Sequence, residues 1–269
     1  PEISNSDPFY DKDGGLGQAR VVEDPRVRVV VPLDGTPEAA RTARAVNDLL
    51  ARAAPILAAH RVNAKRAISG KKVANLLLVR NAGAIPSEGP PRFEEKYGLA
   101  GSAVTEMPVE RGIARLLGLR DRYVGPMGPD RSRSLAERAQ VTRAALREDP
   151  FVYVHLKGPD EPGHDGQAVK KKEIIEDLDR SFFGPFLEGL DWATHRILVT
   201  ADHSTPCVLR SHSDDPVPLL LVGAGIPADG PATTGTPDKF CERRAAAGSL
   251  GIRKGREVLR LLLGTSRTS

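Results

Sequence analysis

Three of the six histidines in this chain stand beside carboxylates in short segments. They are Asp160-Glu161-Pro162-Gly163-His164, Ala201-Asp202-His203-Ser204 and Ser211-His212-Ser213-Asp214-Asp215-Pro216. The first follows the apolar run Phe151–Lys157, and the second ends the apolar run Arg196–Thr200. Carboxylates and imidazoles gathered at the ends of neighbouring strands suit a two-metal site. They point to metal-assisted chemistry on a phosphate or sulfate ester. Asp160 and His164 are four apart, but Pro162 and Gly163 argue for a tight loop rather than a helix. Asp202 and His203 are adjacent at a strand end, where successive side chains diverge, so they serve two ions, or one ion from a bent backbone. His212 lies in a polar loop before a buried strand. Three nitrogen or oxygen ligands from two loops leave one metal an open position, as catalysis requires. Taken singly, an Asp-His pair in a loop is a hydrogen-bonded turn. The metal reading comes from three such segments in this order at strand ends. His60 and His195 read as surface residues, and His155 as a structural histidine within a strand.

The elements that must hold these residues alternate. Arg26–Leu33 is β-branched and alternating and reads as a strand. Thr36-Pro37-Glu38 starts a helix running to about Ala59, with Ala43, Val46, Leu49, Leu50, Ala53 and Leu57 inward. Lys72–Arg80 reads as a strand buried on both faces. Asn81–Phe93, rich in Gly and Pro, is the expected boundary, giving domains at 1–90 and 91–269. Beyond it the sequence predicts strand Gly101–Thr105, helix Val109–Leu117 closed by Gly118, loop Arg120–Arg133 and helix Leu135–Arg147. Strand Phe151–Lys157, a charged helix Gln167–Phe183, buried strands Arg196–Thr200 and Val217–Val222, and a closing helix Glu257–Leu263 follow. This alternation predicts an α/β protein with a mainly parallel sheet. In such sheets sites form beyond the carboxyl ends of strands, where Asp160 and Asp202 fall.

Composition narrows the class. A chain of 269 residues with 40% hydrophobic content supports an ordinary globular core, resting on aliphatic side chains because aromatics are only 4%. The net charge of +4 is mild and acidic residues are interspersed throughout, so no nucleic-acid stripe stands out. No apolar stretch approaches the ~20 residues that span a bilayer. Cys207 and Cys241, outside any CxxC pattern, fit a reduced, cytoplasmic setting. The first residue is Pro within the polar, loop-like stretch Pro1–Gly17, so a longer gene product is expected.

At the metal segments the chain resembles the alkaline phosphatase superfamily. Within it, the chain looks like the archaeal-type cofactor-independent (2,3-bisphosphoglycerate-independent) phosphoglycerate mutases. His155 to Gly166 (HLKGPDEPGHDG) is similar to the family's KGxDExGHDG segment, Thr200–Ser204 to its TADHS segment, and Ser211–Pro218 to its HSxDPVP segment. Lys96-Tyr97-Gly98-Leu99, the Gly112-Ile113-Ala114 helix and Gly248-Ser249-Leu250-Gly251 also fit. Two departures touch the substrate site. Phe9 stands where the family's SDTDPH segment, matched by Ile3–Phe9, has histidine, and Asn81 replaces a glycine in the RGxG-like Val79–Gly83.

The resemblance implies a three-layer, mainly parallel sheet of alkaline phosphatase type with an inserted smaller α/β domain, of which Pro1–Ser87 is most. It implies that Asp160, His164 and His212 hold one divalent ion and that Asp202 and His203 contribute to a second. Manganese suits these ligands, with zinc, cobalt or magnesium as alternatives. It further implies that Asp7, Arg80 and Lys157 meet a phosphorylated substrate, 3-phosphoglycerate. Against this, Arg80 also reads as a strand-end surface residue, Lys157 as half of a structural ion pair and Lys170-Lys171-Lys172 as a solvated helix face. In the family a serine is phosphorylated and returns the group to the 2-hydroxyl of glycerate. That serine, and the aspartate completing the second ion, belong to an N-terminal segment expected before Pro1; Asp34-Gly35 suits a turn and helix cap better. Alternatives are a phosphatase or phosphopentomutase of the same superfamily, or a non-catalytic protein binding one ion or a phosphorylated ligand.

Overall fold

A computed structural model describes residues 2–13, 16–19, 22–23, 25–83, 88–230 and 239–264. The chain divides into two compact units, Pro1–Ser87 with His212–Asp214, and Glu88–Ser211 with Asp215–Ser269.

In the first unit, β1 (Tyr10–Asp13) pairs antiparallel with β2 (Leu16–Ala19); β1 and the start of β2 fall in the loop-like stretch Pro1–Gly17. Helix α1 spans Pro37–Ala59 and α2 spans Arg61–Ile68. The Thr36 side chain accepts from Ala39 N, and Pro37 supplies the preset φ of a first helical position. Ala39 and Ala43 bury against Ile3 and Val30, with Val46 and Leu50 packed alongside, while Leu49, expected inward, is exposed.

Neither strand expected here is regular. Residues 26–33 are extended and bond to the segment before them: Ser4 N donates to Val31 O at 2.9 Å and Arg28 N to Ser6 O at 3.0 Å. Among the described residues, an isolated antiparallel bridge joins Ile3 and Pro32. Residues 72–80 are bonded at one end by the Asn63 side chain, which pairs with both Ala74 N and Ala74 O, and at the other by Ser6, whose N donates to Val79 O at 2.8 Å. Leu76, Leu77 and Leu78 remain 57%, 46% and 47% exposed, so the expected burial on both faces is not met. A strand buried on both faces needs ladders on both sides and layers above and below, and the leucine run alone does not provide them. Of the expected boundary Asn81–Phe93, residues 84–87 lie outside the described residues.

The second unit opens with α3 (Phe93–Tyr97) and β3 (Gly101–Thr105). α4 (Pro108–Leu116), β4 (Arg120–Tyr123), α5 (Arg131–Glu148) and β5 (Phe151–Val154) follow. β4, β3 and β5 form a parallel sheet with β3 central and every residue of β3 buried. One face meets Phe93, Ala114 and Leu119, and the other Leu135, Ala139, Phe182 and Phe186, so helices cover the sheet on both sides. β4 falls in the expected loop Arg120–Arg133, where Gly125, Pro126, Gly128 and Pro129 break any pattern, and it carries Arg120, Asp121 and Arg122 instead of an apolar alternation. It is an edge strand held by ion pairs, Arg111 and Arg115 to Asp121 and Arg122 to Glu148. Gly118, at φ +76°, makes the turn between α4 and β4.

Then come α6 (Asp160–His164), α7 (Ala168–Leu178), a π-helical turn (Asp179–Phe183) and α8 (Gly184–Leu187). β6 (Arg196–Val199) pairs antiparallel with β7 (Leu220–Gly223), and α9 (Glu242–Ala246) and α10 (Gly255–Leu263) close the unit. β6 and β7 are half-buried rather than buried. The charged helix expected over Gln167–Phe183 is α7 continued by the π turn. No helix among the described residues is long and apolar enough to cross a membrane.

Candidate metal centre

Asp160 and His164 sit on a helical turn, not in the loop expected from Pro162 and Gly163. The first four N–H groups of any helix lack an intrahelical acceptor, so proline within a first turn removes no helical bond. With α6 formed, residues four apart share a face. His164 Nε2 lies 3.5 Å from Asp160 Oδ1. His164 Nδ1 lies 3.2 Å from Arg210 O; a carbonyl only accepts, so Nδ1 carries a proton and Nε2 faces the carboxylate.

Asp202 and His203 follow β6. Instead of diverging, as adjacent side chains on a strand do, they converge: His203 Nε2 is 3.4 Å from Asp202 Oδ2. The backbone has bent, and Asp202 Oδ1 accepts from His203 N at 3.1 Å. Thr205, which the sequence did not single out, joins the two pairs. Its Oγ1 donates to Asp160 Oδ1 at 2.6 Å and lies 3.1 Å from His203 Nδ1. A hydroxyl whose proton goes to the carboxylate must accept from the ring. The order is therefore His203 Nδ1–H to Thr205 Oγ1–H to Asp160, which turns Nε2 toward Asp202. An Asp160 oxygen and a His203 ring nitrogen lie within 4.8 Å of one another.

Close approach holds this arrangement together. A Cβ built on Gly163 would stand 2.5 Å from Thr205 O, so only glycine lets α6 lie against that loop. Lys171 Nζ donates to the same carbonyl at 2.7 Å. The sequence places Lys171 on a solvated face, and a run of three lysines gives no sign that one reaches inward; α7 packing beside α6 aims it there.

Tyr153, on β5, lies near enough to Glu110 and Asp202 to feel both charges. Burial, and then the negative charges of Glu110 and Asp202, raise the Tyr153 pKa. His155 follows β5 and is paired with Glu110, Nδ1 to Oε1 at 3.1 Å, in keeping with its structural reading. Lys157 lies three residues beyond β5, half-buried.

His212 belongs to the first unit. Its Nδ1 is hydrogen-bonded to the Tyr10 hydroxyl, and the two rings meet edge to face at 5.9 Å. The Arg80 guanidinium lies 4.1 Å over the Tyr10 ring. Arg80 also approaches Asp7 at 3.9 Å, and Asp7 Oδ1 caps Phe9 N at 3.0 Å.

These donors fit a divalent cation. Two imidazoles of the second unit have Nδ1 engaged, the usual way a protein fixes a ligating histidine. Each oxygen–nitrogen pair is spaced at 3.4 or 3.5 Å, as ligands sharing one ion at about 2.0–2.2 Å are. The ligand side chains keep solvent access, Asp202 being 65% and His203 27% exposed.

Comparisons with known proteins agree with this chemistry. The pattern of the Metalloenzyme superfamily matches residues 38–259. The 2,3-bisphosphoglycerate-independent phosphoglycerate mutase of Aeropyrum pernix is 41% identical over 251 residues, covering 93% of this chain and 58% of the relative. That of Methanoculleus marisnigri is 35% identical over 254 residues, covering 93% and 59%. Among solved structures, the PH0037 protein from Pyrococcus horikoshii superposes with a TM-score of 0.64 at 29% identity, covering 87% of this chain and 61% of that one. The chain thus spans less than two thirds of the length of these relatives.

Proposed function

Because the chain belongs to the Metalloenzyme superfamily and carries its α/β fold of alkaline phosphatase type, we propose that it serves the reaction for which its relatives are named. That reaction interconverts 3-phosphoglycerate and 2-phosphoglycerate in the cytoplasm. Asp160, His164 and His212 hold one divalent ion and Asp202 and His203 the second, manganese being the ion these ligands suit best, with zinc, cobalt and magnesium as alternatives. The observation that carries this reading is the hydrogen-bonded sequence His203–Thr205–Asp160, which ties the two carboxylate–imidazole pairs into one constellation.

Bound ions supply charge neutralisation for a transferring phosphoryl group and lower the pKa of the oxygens that attack and leave. The chain's own residues do the rest. Thr205 and Arg210 fix the imidazole tautomers, so the ligand lone pairs are set before any ion arrives. Lys157, beyond β5, binds the phosphoryl oxygens. Arg80 binds the substrate carboxylate through its exposed edge, and Asp7 orients it. The serine that carries the phosphoryl group in the family is assigned by the resemblance to a segment outside these 269 residues. Water must be kept from the transferring group, because a phosphoserine open to water hydrolyses.

The test supplies 3-phosphoglycerate and manganese to the full-length protein and separates the products. The expected product is 2-phosphoglycerate, with two ions bound per chain. Inorganic phosphate in its place would make the protein a phosphatase, and fewer than two ions with no turnover a non-catalytic ligand-binding protein.

A further inference from the structure

We propose that Tyr10 is a positioning residue for His212, holding its imidazole so that Nε2 is the atom offered to the metal, and that Arg80 and Asp7 keep Tyr10 in place. This rests on the reading of His212 as a ligand, and it adds what no motif assigns: a tyrosine some two hundred residues away in the chain that sets which ring nitrogen binds.

Asp7, Tyr10, Arg80 and His212 all belong to the first unit. An imidazole coordinates through a nitrogen lone pair, and a neutral ring has one such nitrogen. His212 Nδ1 is engaged with the Tyr10 hydroxyl. A phenol both donates and accepts, so by itself the bond leaves the tautomer open. Binding a cation at Nε2 requires Nδ1 to carry the proton, and Tyr10 is the acceptor that stabilises that form. A hydroxyl can do this only if its ring is held still. Two contacts hold it: the T-shaped packing on His212 itself, and the Arg80 guanidinium lying 4.1 Å over its face. Arg80 is in turn drawn by Asp7, which is buried and pinned at Oδ1 by Phe9 N.

The series Asp7–Arg80–Tyr10–His212 gives the SDTDPH-like segment of this chain a second use. Its acid and its following tyrosine support a ligand rather than only meeting substrate. Arg80 serves both purposes, because stacking occupies the face of the guanidinium and leaves its N–H edge for anions.

Manganese binding to the complete chain, followed by calorimetry, tests the proposal without recourse to activity. Tyr10→Phe keeps the ring and removes the hydroxyl, and about 10- to 100-fold weaker binding of one ion is expected. Arg80→Met should weaken it about two- to fivefold through the loosened ring, and it gives an independent reading should Tyr10→Phe fold poorly. His212→Asn should lose that ion, and adding Tyr10→Phe to it should change nothing further. A second readout is the imidazole nitrogen spectrum of zinc-loaded protein, where His212 should show a protonated Nδ1 that becomes solvent-exchangeable in Tyr10→Phe. Unchanged affinity in Tyr10→Phe beside a clear loss in His212→Asn overturns the role of Tyr10 and leaves the ligand set standing. Unchanged affinity in both removes His212 from the ligand set and the proposal with it.

Discussion

Gly163 lies so close to the carbonyl oxygen of Thr205 that a Cβ at position 163 would stand 2.5 Å from it. The contact is with backbone, which has no rotamer to yield, so the helical turn bearing Asp160 and His164 and the loop bearing His203 are brought together at a spacing only glycine permits. Gly163→Ala must separate them. Overpacking of this kind costs about 1–3 kcal/mol, and the expected result is a lower urea midpoint together with weaker manganese binding. Unchanged affinity would show that the two segments do not share a site.

Thr205→Val tests the link between the pairs. Valine matches the shape of threonine but leaves His203 Nδ1 and Asp160 Oδ1 without the hydroxyl that joins them. Loss of such a support typically weakens a metal about 10- to 100-fold. Calorimetric titration with manganese reads this directly, and wild-type affinity would count against the hydroxyl as an orienting group.

Arg138 is buried on α5 and paired with Glu106, while also donating to Ser134 O at 2.9 Å and Gly125 O at 2.8 Å. It holds the loops that follow β3 and β4. Removing one partner of a buried ion pair strands the other, at a cost of about 3–5 kcal/mol. Arg138→Ala should therefore lose most of its stability to denaturant, whereas Arg138→Ala with Glu106→Leu should recover part of it.

Acid should weaken the fold through two carboxylates. Asp34 is held at about 2, from an ordinary 3.8, by hydrogen bonds from the Thr36 side chain and backbone. The Arg111 guanidinium, and then Arg115 against the opposing effect of burial, lowers Asp121 as well. A depressed folded pKa means the unfolded chain binds the proton first. The stabilisation is therefore complete above the ordinary carboxylate value and disappears as pH falls through the folded one. For Asp34 that window is 3.8 down to about 2. Denaturation curves across pH 5 to 2 should flatten in Asp34→Asn and Asp121→Asn; an unaltered slope in both would refute the assignment.

Tyr153 should report on Asp202 from a distance. Burial raises its pKa, and Glu110 and Asp202 add negative charge. Asp202→Asn removes one of those charges, so the tyrosinate absorbance assigned by difference from Tyr153→Phe should rise at lower pH than in wild type. No movement would place Asp202 too far from Tyr153 to act.

Much of the fold was legible because local chemistry wrote it. Thr36-Pro37 placed the start of α1, Gly118 the turn after α4, and the runs at Gly101, Phe151 and Arg196 the strands that carry the site. Residues 72–80 misled for the opposite reason: a leucine run states a preference for burial, and burial is decided by whatever packs against it. β4 was missed because ion pairs with α4, just before it, and with Glu148 at the far end of α5 replace the apolar alternation.

By itself the sequence determined where carboxylates and imidazoles stand together, and that Asp160, His164, Asp202 and His203 fall after strand ends, since residue type and strand pattern are properties of short segments. Tertiary structure alone decided that Asp160 and His164 share a helical face, that Asp202 and His203 bend together, and that Thr205 bonds His203, Lys171 the Thr205 carbonyl and Tyr10 His212. The reason is physical: orientation is set by hydrogen bonds and close contacts between segments far apart in the chain, and no short stretch of sequence carries both partners of such a contact.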